Sequence, residues 1–434
     1  MPFNVKAQTN YTDTLSEINF QSDGHDVLKL LCAPNLHGRG YVNNGIGLAA
    51  DYLEKEFEEI GLDPISELKG FRQAFYTPVN TYPGKIELAI DGHSLKPGVD
   101  FQIEPYSPAI NASFKVKIIE PENLLNKKTL DKLIRSSSFF AIRKAAIDSL
   151  DKPLKQEINS LLYKLPAENG KFKGFILLQS EKLTWTGSTT LYDKIGITIR
   201  ENEHIIGLIN NDEFEIRINI EQEFIPKYRC DNIIGKLKGN GKSNKILFIS
   251  AHYDHLGRMG ESTYYPGAND NGSGVALLLG LAKYYADNPA SLPDFDLVFG
   301  LFAAEEIGLV GSFAFTEANL IPFEQIAFLL NFDICGTGDE GIQVVNGKEF
   351  EEIFLKLRAL NTQGQYLHQV KIRGSRCNSD HCPFYLKGVP SFFIYTLGGV
   401  RHYHDVYDRS ETLALTEFND LSRLMINFIN SFEY

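Results

Sequence analysis

Four short, continuous apolar runs dominate the second half of the chain: 246–250, 295–302, 327–332 and 391–396. A strand buried on one face alternates apolar and polar residues. Strands as uniformly apolar as these need cover on both faces, which is the situation of a parallel sheet between helices. Segments of helical texture, 275–285 and 348–360, fall between the runs. The pattern predicts an α/β fold, a mainly parallel or mixed sheet flanked by helices.

The first half reads differently. Ile46, Ala49, Leu53 and Phe57 recur at helical spacing with Asp51, Glu54, Glu56 and Glu59 between them, so 44–61 is an amphipathic helix. Asn43 or Asn44 is suited to cap it, and Gly61 followed by Pro64 ends it. From about 82 to 226 the texture changes to short alternating segments such as 115–119 and 214–220, with a charged, helical stretch over 127–165. This predicts a mostly β, half-exposed insertion at 82–226 within a domain formed by 1–81 and 227–434. The run Gly235–Ser243 resembles a phosphate-binding loop but lacks its first glycine, Lys236 standing there, and it precedes a strand; it reads as a turn.

Composition narrows the function. With 43 basic against 55 acidic side chains the net charge is −12, which argues against nucleic acid as a partner. No apolar run approaches a membrane span; the longest, 275–282, is broken by Gly280. Five cysteines without a CxxC pair give neither a disulfide scaffold nor a structural zinc site, and Cys377 and Cys382 fit one bridge or two thiols equally. Val5 and Ala7 match the small-residue pattern of a trimmed signal cleavage site, so the expectation is a secreted or periplasmic protein, with the cytoplasm as the alternative.

The chemistry gathers where the apolar runs end. His252 and Asp254 follow the first, Glu305 and Glu306 the second, Asp333 the third, and His404 follows the fourth after Gly398-Gly399. Asp270 lies in a loop, Gly267–Gly274, just before the 275–285 helix. Singly, each is an ordinary turn or surface residue. Jointly they fall at the carboxyl edge of one sheet, where open α/β sheets place their ligands. Glu305 and Glu306 sit between Phe302-Ala303-Ala304 and Ile307-Gly308, an apolar setting where carboxylates are costly without a cation. Two imidazoles, three ligating carboxylates and one spare carboxylate suit two divalent ions, and mixed imidazole and carboxylate favours zinc. Ser379-Asp380-His381 spells a triad, but neighbouring residues cannot generally form its linked hydrogen bonds. His255 and His402 are left outside the set as lone histidines.

These motifs resemble the co-catalytic zinc aminopeptidases of peptidase family M28: His252-x-Asp254, the Gly267–Gly274 block, Glu305-Glu306-x-Gly308, Asn331-Phe332-Asp333, Ser379-Asp380-His381-x-Pro383-Phe384 and Tyr403-His404. The resemblance spans about 229–434 and extends more weakly to Leu36–Gly40 and the 44–61 helix; the insertion loosely resembles a protease-associated domain. It implies a two-zinc (Zn2+) exopeptidase acting on peptides, most often an aminopeptidase. One ion would be held by His252 and Asp333 and the other by Glu306 and His404, with Asp270 bridging. It further implies Glu305 as general base and acid, Asp254 as the residue orienting His252, and Tyr403 as a donor to the oxyanion. The alternatives are a glutaminyl-cyclase-like transferase with one zinc and a receptor-like relative without activity. Because the insertion carries none of these ligands, it is expected to be dispensable for metal binding and to shape substrate choice. Oligomeric state is left open.

Overall fold

The four apolar runs become the centre of a nine-stranded sheet, in a computed structural model that describes residues 15, 17–136, 138–209, 212–241 and 243–433. The cleavage-site residues Val5 and Ala7 lie outside the described residues. Along the sheet the strands run Asp63–Pro64, Glu223–Leu237, Asp296–Phe302, Ile246–His252, Ile326–Phe332, Ser391–Thr396, Ile342–Val345 and Val370–Ile372, while Arg72–Thr81 pairs with Glu223–Leu237. The four central strands are mutually parallel, and Glu223–Leu237 and Ile342–Val345 border them antiparallel.

Both faces of this sheet are buried, as uniformly apolar strands require. Leu247, Ile249, Leu297 and Phe299 pack into one core with the helices Phe20–Leu31, Gly45–Ile60, Gly274–Asp287 and Phe418–Ile429. Their neighbours Phe248, Val298 and Phe302 point the other way, against Phe315 and Phe384 of the helices Val310–Ala318 and His381–Leu386. Cys377 and Cys382 are joined in a disulfide at the start of the latter helix. Among the described residues no helix is long and apolar enough to cross a membrane.

The amphipathic helix forms over Gly45–Ile60 and closes on Gly61, whose φ of 85° is the left-handed conformation of a helix C-terminus. Its start differs from expectation. Asn44 precedes it in a left-handed conformation with no side-chain cap, because its Oδ1 instead accepts from the Tyr228 hydroxyl at 3.2 Å.

Residues 86–220 build a second, eight-stranded sheet with its own core. The strands Ile110–Ile118 and Glu213–Ile220, neighbours inside this sheet, alternate as predicted. The stretch 127–165 is not helical throughout: Phe139–Arg143 is a buried strand between the helices Lys127–Arg135 and Lys152–Lys164. Its Phe-Phe-Ala-Ile run is another apolar segment of the kind that parallel pairing buries, and it lies parallel to both Ile110–Ile118 and Gly174–Gln179. The ribbon of Arg72–Thr81 against Glu223–Leu237 leads the chain out of the first sheet and back.

Candidate metal centre

The site is built from the ends of the parallel strands. His252 is the last residue of Ile246–His252, Asp333 follows Ile326–Phe332 directly, and Glu305 and Glu306 follow Asp296–Phe302 within a turn. Their side chains converge. His252 Nε2 lies 3.4 Å from Asp270 Oδ1 and 3.4 Å from Asp333 Oδ1. On the other side, His404 Nε2 lies 3.1 Å from Asp270 Oδ2 and 3.0 Å from Glu306 Oε2. Asp270 thus presents one oxygen to each of two donor groups. The structure thus brings His252 and Asp333 to one side of Asp270 and Glu306 and His404 to the other.

Each donor is held from behind. Ser379 donates to Asp333 Oδ2 at 2.7 Å and receives the Asn331 amide at 2.8 Å, which leaves Asp333 Oδ1 buried without a hydrogen-bond partner. A buried orphan acceptor facing an imidazole is what a metal position requires. Asp254 acts on three residues. Its carboxylate accepts from the main-chain N–H of Glu305 (3.1 Å) and Glu306 (3.3 Å). His252 Nδ1 is 3.3 Å from its carbonyl oxygen and 3.7 Å from its carboxylate, so the ring is fixed by the backbone of Asp254 more closely than by the side chain.

The Asp270 loop is gripped by buried charge on both sides. Fully buried Arg39 donates to the carbonyls of Tyr253 (2.7 Å), Leu31 (3.1 Å), Pro266 (2.6 Å), Gly267 (2.8 Å) and Asp270 (3.4 Å). Asp408 accepts from the N–H of Asn269 (2.9 Å) and Asp270 (3.0 Å). Gly267 has a φ of 64°, and a Cβ there would meet the Asp270 carbonyl oxygen at 2.4 Å, so the loop closes only around glycine.

The electrostatics follow from crowding acids and imidazoles out of water. Burial opposes charge on His404, but Glu306 and Asp270 outweigh it and push its pKa up to about 11. Burial and Asp270 work against Glu306, yet His404 and His255 hold it down at about 2. Burial, with Asp333, Asp380 and Glu306, drives the Glu305 carboxyl well above the usual range, more than His252 offsets. Asp380, fully buried, is pushed up to about 7, chiefly by burial. Tyr403 is about half exposed, at 45 %, and stacks on His404 with ring centroids 3.9 Å apart; burial of its hydroxyl and the acids around it raise its pKa.

Sequence reasoning missed four contributors. His255, set aside as a lone histidine, places Nδ1 2.6 Å from Glu306 Oε1 and belongs with Asp270 and Glu306 to a second possible metal-holding group. Arg39 stood inside the weakly resembling Leu36–Gly40 run without a role, and Asp408 was not singled out, since both act on main-chain atoms, most of them far away in sequence. Ser379 was read as a triad letter and as part of the Ser379-Asp380-His381-x-Pro383-Phe384 motif, without a role of its own. The structure forms no such triad: His381 bonds the Arg376 carbonyl, and Ser379 turns to Asp333. His402 faces Asp405 Oδ1 at 3.5 Å and the Tyr407 ring, away from both donor groups.

The parallel α/β sheet thus carries paired acid–imidazole clusters at its carboxyl edge, where such sheets place their ligands. The model of peptidase family M28 matches residues 232–429. The vacuolar membrane protease of Candida dubliniensis is 31% identical over 152 residues, covering 35% of this chain and 15% of that protein. The chain therefore matches only a small part of the length of that relative. Among solved structures, an aminopeptidase from Aneurinibacillus sp. strain AM-1 covers 96% of this chain and 94% of its own at a TM-score of 0.64 and 18% identity. A zinc aminopeptidase from Bacillus subtilis covers 95% of each chain at a TM-score of 0.67 and 16% identity. At such identities the likeness is one of fold.

Proposed function

We propose that the chain is a two-zinc exopeptidase, an aminopeptidase removing N-terminal residues from peptides. The observation that carries this reading is the pair of donor groups sharing Asp270, with His252 and Asp333 on one side and Glu306 and His404 on the other. The donor chemistry fits zinc: imidazole nitrogen and carboxylate oxygen, with Asp333 Oδ1 buried and otherwise unsatisfied. Zinc, when bound, supplies Lewis acidity and lowers the pKa of a coordinated water.

The chain's own residues carry the proton and the orientation. Glu305 is the carboxylate left outside both groups, so it is free to take the proton of the attacking water and deliver it to the departing amine. Its backbone is pinned by Asp254, which sets where that carboxylate can reach. Tyr403 keeps its proton, because burial and then the acids around it raise its pKa, and so has an O–H to offer the oxyanion. The aminopeptidase assignment draws on what the fold relatives are named for and is an analogy of fold. We further propose that residues 82–226 form a protease-associated-like domain that shapes the cleft. We also propose that the protein works outside the cytoplasm, secreted or periplasmic, a reading that the Cys377–Cys382 bridge favours.

The test is a panel of aminoacyl, carboxy-terminal and dipeptide substrates, assayed after chelation and after zinc is returned. Aminoacyl hydrolysis lost with chelator and restored by zinc is expected. Hydrolysis that survives chelation, or preference for a free carboxyl terminus, overturns the reading. One zinc per chain would favour the single-zinc transferase instead.

A further inference from the structure

The segment between strands Gly174–Gln179 and Ile195–Arg200 of the second sheet reaches into the first. Lys182 Nζ bonds the carbonyls of Arg401 (2.9 Å) and Tyr403 (3.0 Å) and Asp405 Oδ2 (2.8 Å). The N–H of Trp185 donates to the carbonyl of His404 itself at 2.9 Å. Three contacts therefore straddle His404, a non-glycine residue at a φ of 53°, where the backbone needs outside support. The same segment touches the glutamate turn. Thr186 donates to the Glu306 carbonyl at 3.4 Å, and a Cβ on Gly187 would lie 2.4 Å from Ile307 Cγ2. The indole is anchored in its own sheet by a 2.8 Å bond to the Ile103 carbonyl and stacks on Tyr265, 5.0 Å between centroids. No such contact from this segment reaches His252 or Asp333 among the described residues; those are held within the first sheet by Asp254 and Ser379.

We propose that residues 182–187 are a positioning strap for one of the two ions: they fix the segments bearing His404 and Glu306, and leave the His252 and Asp333 pair to the first sheet. This rests on the two-zinc reading above. It also replaces the expectation that the insertion is dispensable for metal binding, because an inserted segment without a ligand holds the backbone of two.

The test is zinc titration of the metal-free full chain by calorimetry, with fluorescence of Trp185, the only tryptophan in the sequence, as a reporter beside His404. The Lys182 side chain is 42 % exposed, so Lys182→Met should fold, and an unchanged melting temperature without metal checks this. The expected result is one ion bound as in the wild type and the other weakened about tenfold or more, the scale seen when a residue supporting a ligand is lost. Lys182→Arg should restore the second ion to within a few-fold. Gly187→Val, which pushes on the glutamate turn instead, should weaken the same ion. Two ions bound by Lys182→Met as tightly as by the wild type, or both weakened alike, overturn the strap. A wild-type chain that binds fewer than two ions overturns the two-zinc reading and the strap with it.

Discussion

The two-zinc reading gives two adjacent glutamates opposite tasks, and single-atom changes separate them. Glu306 Oε2 lies 3.0 Å from His404 Nε2, inside a donor group, whereas Glu305 stands outside both groups. Glu305→Gln keeps the shape but cannot take a proton; it should retain both zincs and lower turnover by roughly 10²–10⁴-fold. Glu306→Gln should weaken one zinc and be partly rescued by excess metal. Zinc stoichiometry measured beside kcat decides, and the reverse pattern would invert the assignment. Ser379→Ala is expected to loosen Asp333, whose Oδ2 it bonds at 2.7 Å, and to weaken the other zinc by about 10–100-fold. An unchanged affinity would mean that Asp333 needs no such support. At this scale four of the five candidate ligands, His252, Glu306, Asp333 and His404, were legible because they follow apolar runs, and Asp270 because its loop opens a buried helix. His255 was not, because a histidine three residues past a strand-ending ligand has no signal until the turn brings its ring 2.6 Å from Glu306.

The elements show why some residues stayed hidden. A parallel strand announces itself by composition, so all four central strands lie where the apolar runs placed them. Even the misread stretch 127–165 held the clue, in the apolar run at Phe139–Arg143. Contacts to main-chain atoms leave no such trace. Arg39 satisfies five carbonyls from Leu31, Tyr253 and the Asp270 loop, joining the N-terminal helical region to the loop that carries the shared carboxylate. Its replacement would leave buried acceptors unpaired, each worth about 1–3 kcal/mol. Arg39→Met should therefore destabilise the metal-free chain by about 3 kcal/mol or more. Denaturant unfolding followed by far-UV circular dichroism reads this directly. A loss under about 1 kcal/mol would mean that water or neighbouring donors replace the guanidinium.

For the whole molecule, folding, protonation and metal binding are one linked equilibrium. Without metal, Glu306 has its pKa lowered from 4.5 to about 2, so its pairing contributes stability above pH 4.5 that is lost as pH falls towards 2. His404 has its pKa raised from 6.5 to about 11, so its contribution is complete below pH 6.5 and is lost as pH rises towards 11. Both contributions are full only between about pH 4.5 and 6.5, where this part of the metal-free protein's stability should peak. Zinc reverses the upper limb, since a ligating imidazole must be neutral and binding releases its proton, so affinity rises with pH. Ligands that bind only the native state add stability by mass action, about 2.7 kcal/mol at a hundredfold excess over Kd. The melting temperatures of zinc-loaded and chelated protein should therefore diverge between pH 6 and 8, the loaded form gaining while the chelated form declines. Differential scanning calorimetry at several pH values, run at fixed free zinc, measures the gap. A gap that stayed constant over that interval would mean that His404 binds no metal and gives up no proton, and the second ion would have to be sought on other residues.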